Sequence, residues 1–159
     1  MITLSPDIDT VDRAILRELQ IDGRMTNAEL AERVNLSPSA CFRRVRILED
    51  KGIIEGYTAI LNQATCGRGQ NVLVSVTLRS QDSNDLEAFE ALISKHPQVM
   101  ECYLMSGDSD YHIRVIVSDA ADYERLHRDV LTKLPGVDRV RSSFALRTVR
   151  KTTALPLED

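Results

Sequence analysis

The fold is decided by residues 26–51, TNAELAERVNLSPSACFRRVRILEDK. Thr26 followed by Glu29 is a capping box, which predicts the start of a short helix. Ser37 followed by Pro38 supplies an N-cap and a proline at the first helical position, so a further helix is predicted to begin there and to end near residue 51, before a glycine. Two helices joined by so short a turn predict a helix-turn-helix.

The residues on either side complete a small helical domain. Residues 9–21 predict a first helix, with Asp9 as its N-cap and Gly23 as its stop signal, because apolar residues recur at helical spacing. These apolar residues are Val11, Ile15, Leu16 and Leu19. Residues 53–61 predict a strand or small wing with a turn at Gly56. Three helices and a wing are typical of a winged helix-turn-helix domain.

The helix that begins at Pro38 has two chemically different sides. At about 100° per residue, its inner side carries Cys41, Val45 and Leu48, and Cys41 is expected to pack rather than to react. Arg44 lies on the flank. The outer side combines a serine, a phenylalanine and two arginines, which are Ser39, Phe42, Arg43 and Arg46.

A charged helix face is usually just a solvated surface, but two features of this helix point to a different role. An exposed Phe42 has no role on such a face unless something covers it. The arginines also lack acidic partners at helical spacing between Ser39 and Ile47, so ion pairing along the helix does not account for them. The pattern favours contact with DNA.

The position of each residue on this helix predicts its role. Ser39, Ala40 and Arg43 lie where a recognition helix approaches base edges in the major groove. Arg44 and Arg46 are predicted to hold phosphates, and the backbone amides after the N-cap provide a further phosphate position. The predicted DNA-binding residues are Ser37, Ser39, Ala40, Phe42, Arg43, Arg44 and Arg46.

Composition excludes several other classes of protein. A formal net charge of −4 and a pI of about 5.4 exclude a general polyanion binder, so DNA binding has to come from a focused cationic patch. The sequence lacks a membrane-span pattern and a signal peptide. Cys41, Cys66 and Cys102 form no CxxC pair, which is typical of a reducing cytoplasm, where we expect the protein to act.

The second half of the chain predicts an α+β domain. A polar, glycine-bearing linker at 62–70 separates a DNA-binding domain at 1–61 from a second domain at 71–159. Apolar alternation predicts strands at 71–80, 98–106, 111–118 and 137–149. Helical spacing predicts helices at 83–95 and 123–134. The order βαββαβ predicts a ferredoxin-like sandwich.

Both faces of the sheet are predicted to be apolar. Val140, Phe144 and Leu146 of the last strand fall on a face that the two helices can cover. An apolar opposite face needs another cover, and the sheet of a second copy is the simplest one, which predicts a symmetric dimer. This opposite face is expected to carry Leu73, Cys102, Leu104, Ile116 and Ala145.

Three separated motifs carry a resemblance to a known family. They are LSPSACFRRV at 36–45, LExxGIIxGY at 48–57 and SGDxDY at 106–111. In this order, and over nearly the whole chain, the sequence resembles the Lrp/AsnC, or feast/famine, family of bacterial and archaeal regulators. It departs from the family at Ala40, where many members have a second proline, so base contacts near that position are not transferred.

The resemblance implies a role for the α+β half. It implies a ligand-binding domain of the RAM or AsnC type, which forms dimers that assemble into tetramers, octamers or hexadecamers. Small effectors, usually amino acids, bind between the dimers of such proteins. The loop that matches the effector site comprises Met105, Ser106, Gly107, Asp108, Asp110 and Tyr111.

This loop has the chemistry that an amino acid requires. Carboxylates accept hydrogen bonds from the ammonium group, and amides exposed by a glycine donate to the carboxylate. Spacing alone favours a plain hairpin turn, and only the resemblance reverses that preference. Met105 and Tyr111 are placed to frame an apolar side chain, so a hydrophobic amino acid is the expected effector.

These predictions combine into one mechanism. Dimers present two recognition helices to adjacent major grooves of a pseudo-palindromic site, and assembly of dimers bends or wraps the double-stranded DNA. An amino acid bound between dimers shifts the assembly or the placement of the DNA-binding domains, which changes transcription.

Other interpretations stay open. An enzyme would need a reactive site, and the one candidate is a metal site formed by His112 and Cys102 beside Asp110. The sequence contains no nucleophile motif and no cofactor motif. We therefore predict that the protein is not an enzyme and binds no cofactor. An amino-acid-sensing subunit of a partner enzyme is the second alternative, and the helix-turn-helix argues against it. The tail at 151–157 either frays or docks near a neighbouring subunit.

Overall fold

A computed structural model describes residues 8–157, which form two compact units. The first unit contains the chain as far as Ile60 together with residues 150–157, and the second contains Leu61–Val149. The second domain is predicted at 71–159 and so includes the C-terminal tail, whereas in the structure the tail bonds the first helix of the first unit. Among the described residues, no helix is long and apolar enough to cross a membrane.

The first unit is built on three helices whose starts follow from their capping residues. They are α1, Thr10–Ile21; α2, Asn27–Arg33; and α3, Pro38–Asp50. Capping boxes begin α1 and α2, as Asp9 and Thr26 predict. The Ser37 hydroxyl accepts a hydrogen bond from the Ala40 amide at 3.3 Å and begins α3. All three predicted helices are confirmed.

The inward sides of these helices form a small apolar core. Cys41 and Leu48 of α3 are buried, as predicted, with four residues from α1 and α2: Ile15, Leu16, Leu30 and Ala31. Asn35 adopts a left-handed φ of 53° between α2 and α3, which asparagine tolerates better than most residues. Core and turn together leave the opposite side of α3 facing outward.

The strand or wing predicted over 53–61 is not present as a strand. The Ile53 and Ile54 amides both donate to the Leu48 carbonyl, at 2.9 and 3.1 Å, so they satisfy the C-terminal end of α3 instead of a sheet. Both isoleucine side chains pack against the helical core. An apolar pattern that predicts a strand therefore serves here to cap and cover a helix.

The second unit contains four strands and two α-helices in the order βαββαβ. The strands are β1, Gln70–Leu78; β2, Val99–Leu104; β3, Tyr111–Val117; and β4, Val137–Phe144. The helices are α4, Ser83–Ile93, and α5, Ala120–Asp129, with a 3₁₀ turn at Leu131–Lys133. The strands pair antiparallel in the order β2-β3-β1-β4, which confirms the ferredoxin-like α+β fold.

One face of this sheet packs against α4 and α5. Phe89 of α4 stacks on Tyr111 of β3 with their ring centroids 4.4 Å apart, within a core that alternate residues of β1 and β3 supply. Val140 and Phe144 pair with buried valines of β1 and so lie on this face, as predicted. Leu146 follows the end of β4 and is fully exposed, so its predicted place on the helix-covered face is wrong.

The prediction that Cys102 and Leu104 lie on the opposite, open face is also wrong. They pair with Ile113 and Tyr111, which belong to the core, and directly paired residues share a face. The register shifts between Val99 and residue 101, so the simple alternation of side chains is broken there. Burial beside the core raises the pKa of the Cys102 thiol to about 11.

The open face is mixed rather than uniformly apolar. Leu73 lies on it, 55% exposed, as predicted. Its centre, however, carries an ion pair, because Arg114 Nε and Nη2 both donate to Glu101 Oε1, at 2.8 and 2.6 Å. Arg114 Nη1 also donates to the Asn71 side chain at 3.2 Å. The apolar character of this face is therefore weaker support for a dimer than the sequence predicts.

Candidate DNA-binding surface and effector loop

The outward side of α3 groups most of the residues predicted to contact DNA. Ser39 and Arg43 are exposed, Phe42 is 57% exposed, and the Arg46 side chain is 62% exposed. The Arg46 guanidinium lies over the Phe42 ring, with Cζ 6.0 Å from its centroid. Within residues 8–157, Arg43 makes no ion pair or side-chain hydrogen bond. An exposed helix face that carries two arginines and an aromatic ring is suited to a groove of DNA.

The N-terminal end of α3 is pinned to α2. The Asn27 side-chain amide donates to the Pro38 carbonyl at 2.9 Å, and the hydroxyls of Ser37 and Ser39 lie 3.3 Å apart. Ala40 is only half-buried. Rigid support at this end matters because the first turns of a recognition helix approach the base edges.

Arg44 is engaged differently from its prediction. Its Nη1 donates to Asp9 Oδ2 at 2.7 Å and to Asp12 Oδ1 at 2.8 Å, so it joins α3 to the start of α1. The backbone amide of Asp12 and then this guanidinium hold the pKa of Asp9 below its usual value. These acidic partners come from another helix and are not visible in the spacing of α3, so we predict a buttress between two helices for Arg44 in place of the phosphate contact.

Replacing Arg44 with alanine is expected to weaken DNA binding by about two- to fivefold, because an ion pair that orients α3 is lost. The slope of log affinity against log salt should stay the same, since no phosphate contact is removed. Fluorescence anisotropy at several salt concentrations measures both quantities.

Arg33→Ala is the matched control for this prediction, because it removes the 2.8 Å ion pair between Arg33 and Glu18, which does not involve α3. It should leave DNA affinity unchanged. If the slope of log affinity against log salt becomes shallower by about one per copy of the chain in Arg44→Ala, then Arg44 contacts a phosphate after all.

Ile47 also belongs to the outward surface, although it is not among the predicted DNA-binding residues. Ile47 is 44% exposed and lies one turn after Arg43 on the same side of α3. Its position at i+4 from an outward arginine was a sufficient signal. Arg46 also has an acidic partner beyond the segment from Ser39 to Ile47, since it contacts Glu49 at 3.3 Å.

The predicted effector loop divides into an exposed half and a buried half. Met105 is 39% exposed, and Ser106, Gly107 and Asp108 are exposed at the junction of β2 and β3. Gly107 has a φ of 144°, which side chains rarely allow, so glycine exposes the backbone at this point. This half presents a carboxylate, a hydroxyl and backbone amides to solvent.

Asp110 and Tyr111 belong to the structure of the unit itself. Asp110 is 5% exposed; its Oδ2 accepts from the Leu78 amide at 2.6 Å and its Oδ1 accepts from the Gln81 amide group at 2.5 Å. Tyr111 is 1% exposed, and its hydroxyl donates to Glu90 at 2.8 Å. Both side chains are occupied within the protein, so we expect the exposed half of the loop, rather than these two side chains, to contact an effector directly.

The hypothetical metal site is not formed. His112 pairs with Tyr103 on the open face of the sheet, whereas Cys102 faces the core on the other side. His112 Nε2 instead lies 2.9 Å from the Ser109 hydroxyl. Across the described part of the chain, no group of three His, Cys, Asp or Glu side chains is placed to hold a metal ion.

A capped helix-turn-helix with an outward cationic helix, followed along the chain by a ferredoxin-like unit with an exposed polar loop, defines a DNA-binding regulator with a separate sensing domain. Residues 8–55 match the family model for winged helix-turn-helix DNA-binding domains, and residues 71–155 match the model for the Lrp/AsnC ligand binding domain. The chain belongs to the Lrp/AsnC family of transcriptional regulators. This is a family of DNA-binding proteins rather than of enzymes.

Similar proteins cover nearly the whole chain. It is 41% identical over 152 residues to the leucine-responsive regulatory protein of Salmonella typhimurium, and the aligned residues make up 96% of this chain and 93% of that protein. The structure of a transcriptional regulator from Neisseria meningitidis in complex with L-methionine has a TM-score of 0.89 and 38% identity, covering 94% of this chain and 96% of that one. The structure of an AsnC family regulator from Agrobacterium tumefaciens has a TM-score of 0.90 and 37% identity, and the match covers 94% of this chain and 97% of that one.

Proposed function

We propose that this regulator reads a pseudo-palindromic DNA site with α3 from two copies, and that a hydrophobic amino acid controls the binding. The outward face of α3 carries this proposal, because it combines an exposed Phe42 with Arg43, which has no side-chain partner within residues 8–157, on a capped, well-supported helix. Arg43, with Ser39 and Ala40, contacts base edges, and Arg46 contacts a phosphate.

The exposed half of the effector loop is the proposed amino-acid site. Asp108 accepts from the ammonium group of the ligand, the backbone around Gly107 donates to its carboxylate, and Met105 contacts its side chain. Similarity to the Neisseria meningitidis regulator, whose structure contains L-methionine, supports an apolar amino acid as the ligand. No observation favours the alternative of a subunit that regulates a partner enzyme.

Self-association completes the proposal. Leu73 and Tyr103 are 55% and 56% exposed on the open face of the sheet, and a second copy covers them while the Arg114–Glu101 pair stays hydrogen-bonded. Dimers formed in this way assemble further, to an octamer or another multiple of dimers, with the effector loops between them.

The experiment that tests this function starts from DNA selected out of a random library by the purified protein. Binding to the selected site should fall steeply with salt, and a screen of the twenty amino acids by thermal shift should identify a ligand that also changes DNA affinity. Failure to enrich any sequence, or an affinity that does not depend on salt, would remove DNA reading from the proposal.

Replacing Asp108 with alanine is expected to weaken binding of this amino acid by about ten- to one hundredfold, since a charge-assisted hydrogen bond is lost. Isothermal titration calorimetry measures the affinity. DNA binding without the ligand should be unchanged.

Asp138→Ala is the matched control for the Asp108 prediction, because Asp138 is another exposed aspartate of the same unit and lies outside the loop. Equal ligand affinity in wild type and Asp108→Ala would place the amino acid elsewhere, while the test of DNA binding above would still stand.

A further inference from the structure

The C-terminal tail, defined here as residues 150–157, is held on α1 by side chains that grip its backbone. Gln20 Oε1 accepts from the Leu155 amide at 2.6 Å, and Gln20 Nε2 donates to the Leu155 carbonyl at 3.2 Å. One turn earlier on α1, Arg17 donates to the Leu157 carbonyl from Nε at 3.1 Å and from Nη2 at 2.8 Å. A side-chain amide that bonds both polar groups of one residue is a specific way to recognise a peptide backbone.

The apolar part of this contact is smaller than the polar part. The Leu157 side chain is half-buried against the helical core, which gives the tail one anchoring residue. Leu155 remains 71% exposed beside a groove of about 480 Å³ between α1 and residues 53–57. The tail therefore fills the groove only in part and is held mainly by hydrogen bonds, so the contact is one that can be released.

We propose that the tail is a strap of the DNA-binding unit, docked in the groove of its own chain, and that its attachment sets how firmly α1 supports the recognition helix. The N-terminal end of α1 carries Asp9 and Asp12, which hold Arg44 of α3. The C-terminal half of α1 carries the two residues that hold the tail, Arg17 and Gln20. The strap acts on DNA through α1 and is not itself a DNA contact.

The path of the chain gives this strap a regulatory position. The chain leaves the first unit after Ile60 and returns to it at Arg150, so the two units are joined by two covalent connections. The second connection follows β4, the last strand of the ligand-binding unit. Any displacement of β4 therefore has a direct covalent route to the support of the recognition helix.

Hydrogen exchange of the full chain, compared with a chain that ends at Thr153, tests the strap. Without the strap, amides of α1 and of residues 53–57 should exchange about three- to tenfold faster, the effect of losing a few partly exposed hydrogen bonds, while the sheet should be unchanged. Gln20→Ala should give part of this effect, and Ala154→Ser, at an exposed tail position, should give none. Unchanged exchange in α1 of the shortened chain would overturn the proposal.

Two further measurements separate the strap from its alternatives. A short bis-maleimide joining Gln20→Cys to Leu155→Cys, in a Cys66→Ser background, should give a cross-linked monomer; a cross-linked dimer would show that the tail of a second copy fills the groove. The second measurement is DNA binding by the shortened chain, and it is the one test here that depends on the proposed function. The shortened chain should bind the selected site about three- to tenfold more weakly, with an unchanged slope of log affinity against log salt. Because exchange is measured without DNA, failure of the strap and failure of DNA reading are distinguishable.

Discussion

Replacing Arg43 with alanine is expected to reduce the preference of the protein for its selected DNA site over unrelated DNA by about ten- to one hundredfold, because a guanidinium that bonds a base edge in the major groove carries sequence discrimination. Arg43 is the arginine of α3 that has no partner among the described residues, so no internal contact has to be broken when DNA binds. Competition binding with selected and scrambled duplexes measures this preference.

Arg46→Ala is the matched comparison on the same helix. Arg46 lies over Phe42 and contacts Glu49, and it is expected to exchange the latter contact for a phosphate. Its loss should weaken binding to all sequences alike and make the salt slope shallower by about one for each copy of the chain. If the two variants lose affinity equally on selected and scrambled DNA, the assignment of Arg43 to base reading is wrong.

Replacing Asp110 with alanine is expected to lower the free energy of unfolding of the second unit by about 2–3 kcal/mol, because the Leu78 amide and the Gln81 side chain lose their shared acceptor in a buried place. Urea denaturation followed by circular dichroism measures the change. This expected loss is comparable with that of a core truncation, although the residue lies in a loop that resembles a ligand site.

Asp110→Asn distinguishes structural support from ligand binding. An asparagine at this position keeps an oxygen for the Leu78 amide, and Gln81 can turn its own amide to accept from the new NH₂ group. Asp110→Asn should therefore keep most of the stability and also the amino-acid response, whereas Asp108→Ala should lose the response without losing stability. An Asp110→Asn protein that is stable yet unable to bind the amino acid would return Asp110 to the effector site.

The local signals in the sequence predict the helices well. Asp9, Thr26 and Ser37 predict where α1, α2 and α3 begin, because a capping side chain satisfies amides only two or three residues away. The outward side of α3 follows from helical periodicity, and the βαββαβ order follows from strand alternation and turn residues. Such information is contained in neighbouring residues, so it can be read from the sequence alone.

Two of the differences between prediction and structure come from long-range contacts. Cys102 lies on the core face because a bulge in β2 is set by pairing with β3. Arg44 bonds acidic partners that are more than thirty residues away. The difference over 53–61 is local, because the Ile53 and Ile54 amides bond the Leu48 carbonyl only five and six residues away, and an apolar pattern does not show whether it forms a strand or covers a helix.

The two classes of unit, the helix starts, the cationic outward side of α3 and the polar loop after β2 can be read from the amino-acid sequence, since each depends on side chains within a few residues of one another. Three other features are visible only in the folded chain: Arg44 braces α1, Asp110 supports the Leu78 amide and the tail returns to the helical unit. A charged or polar side chain takes the nearest good partner in space, and distance along the chain does not reveal which partner that is.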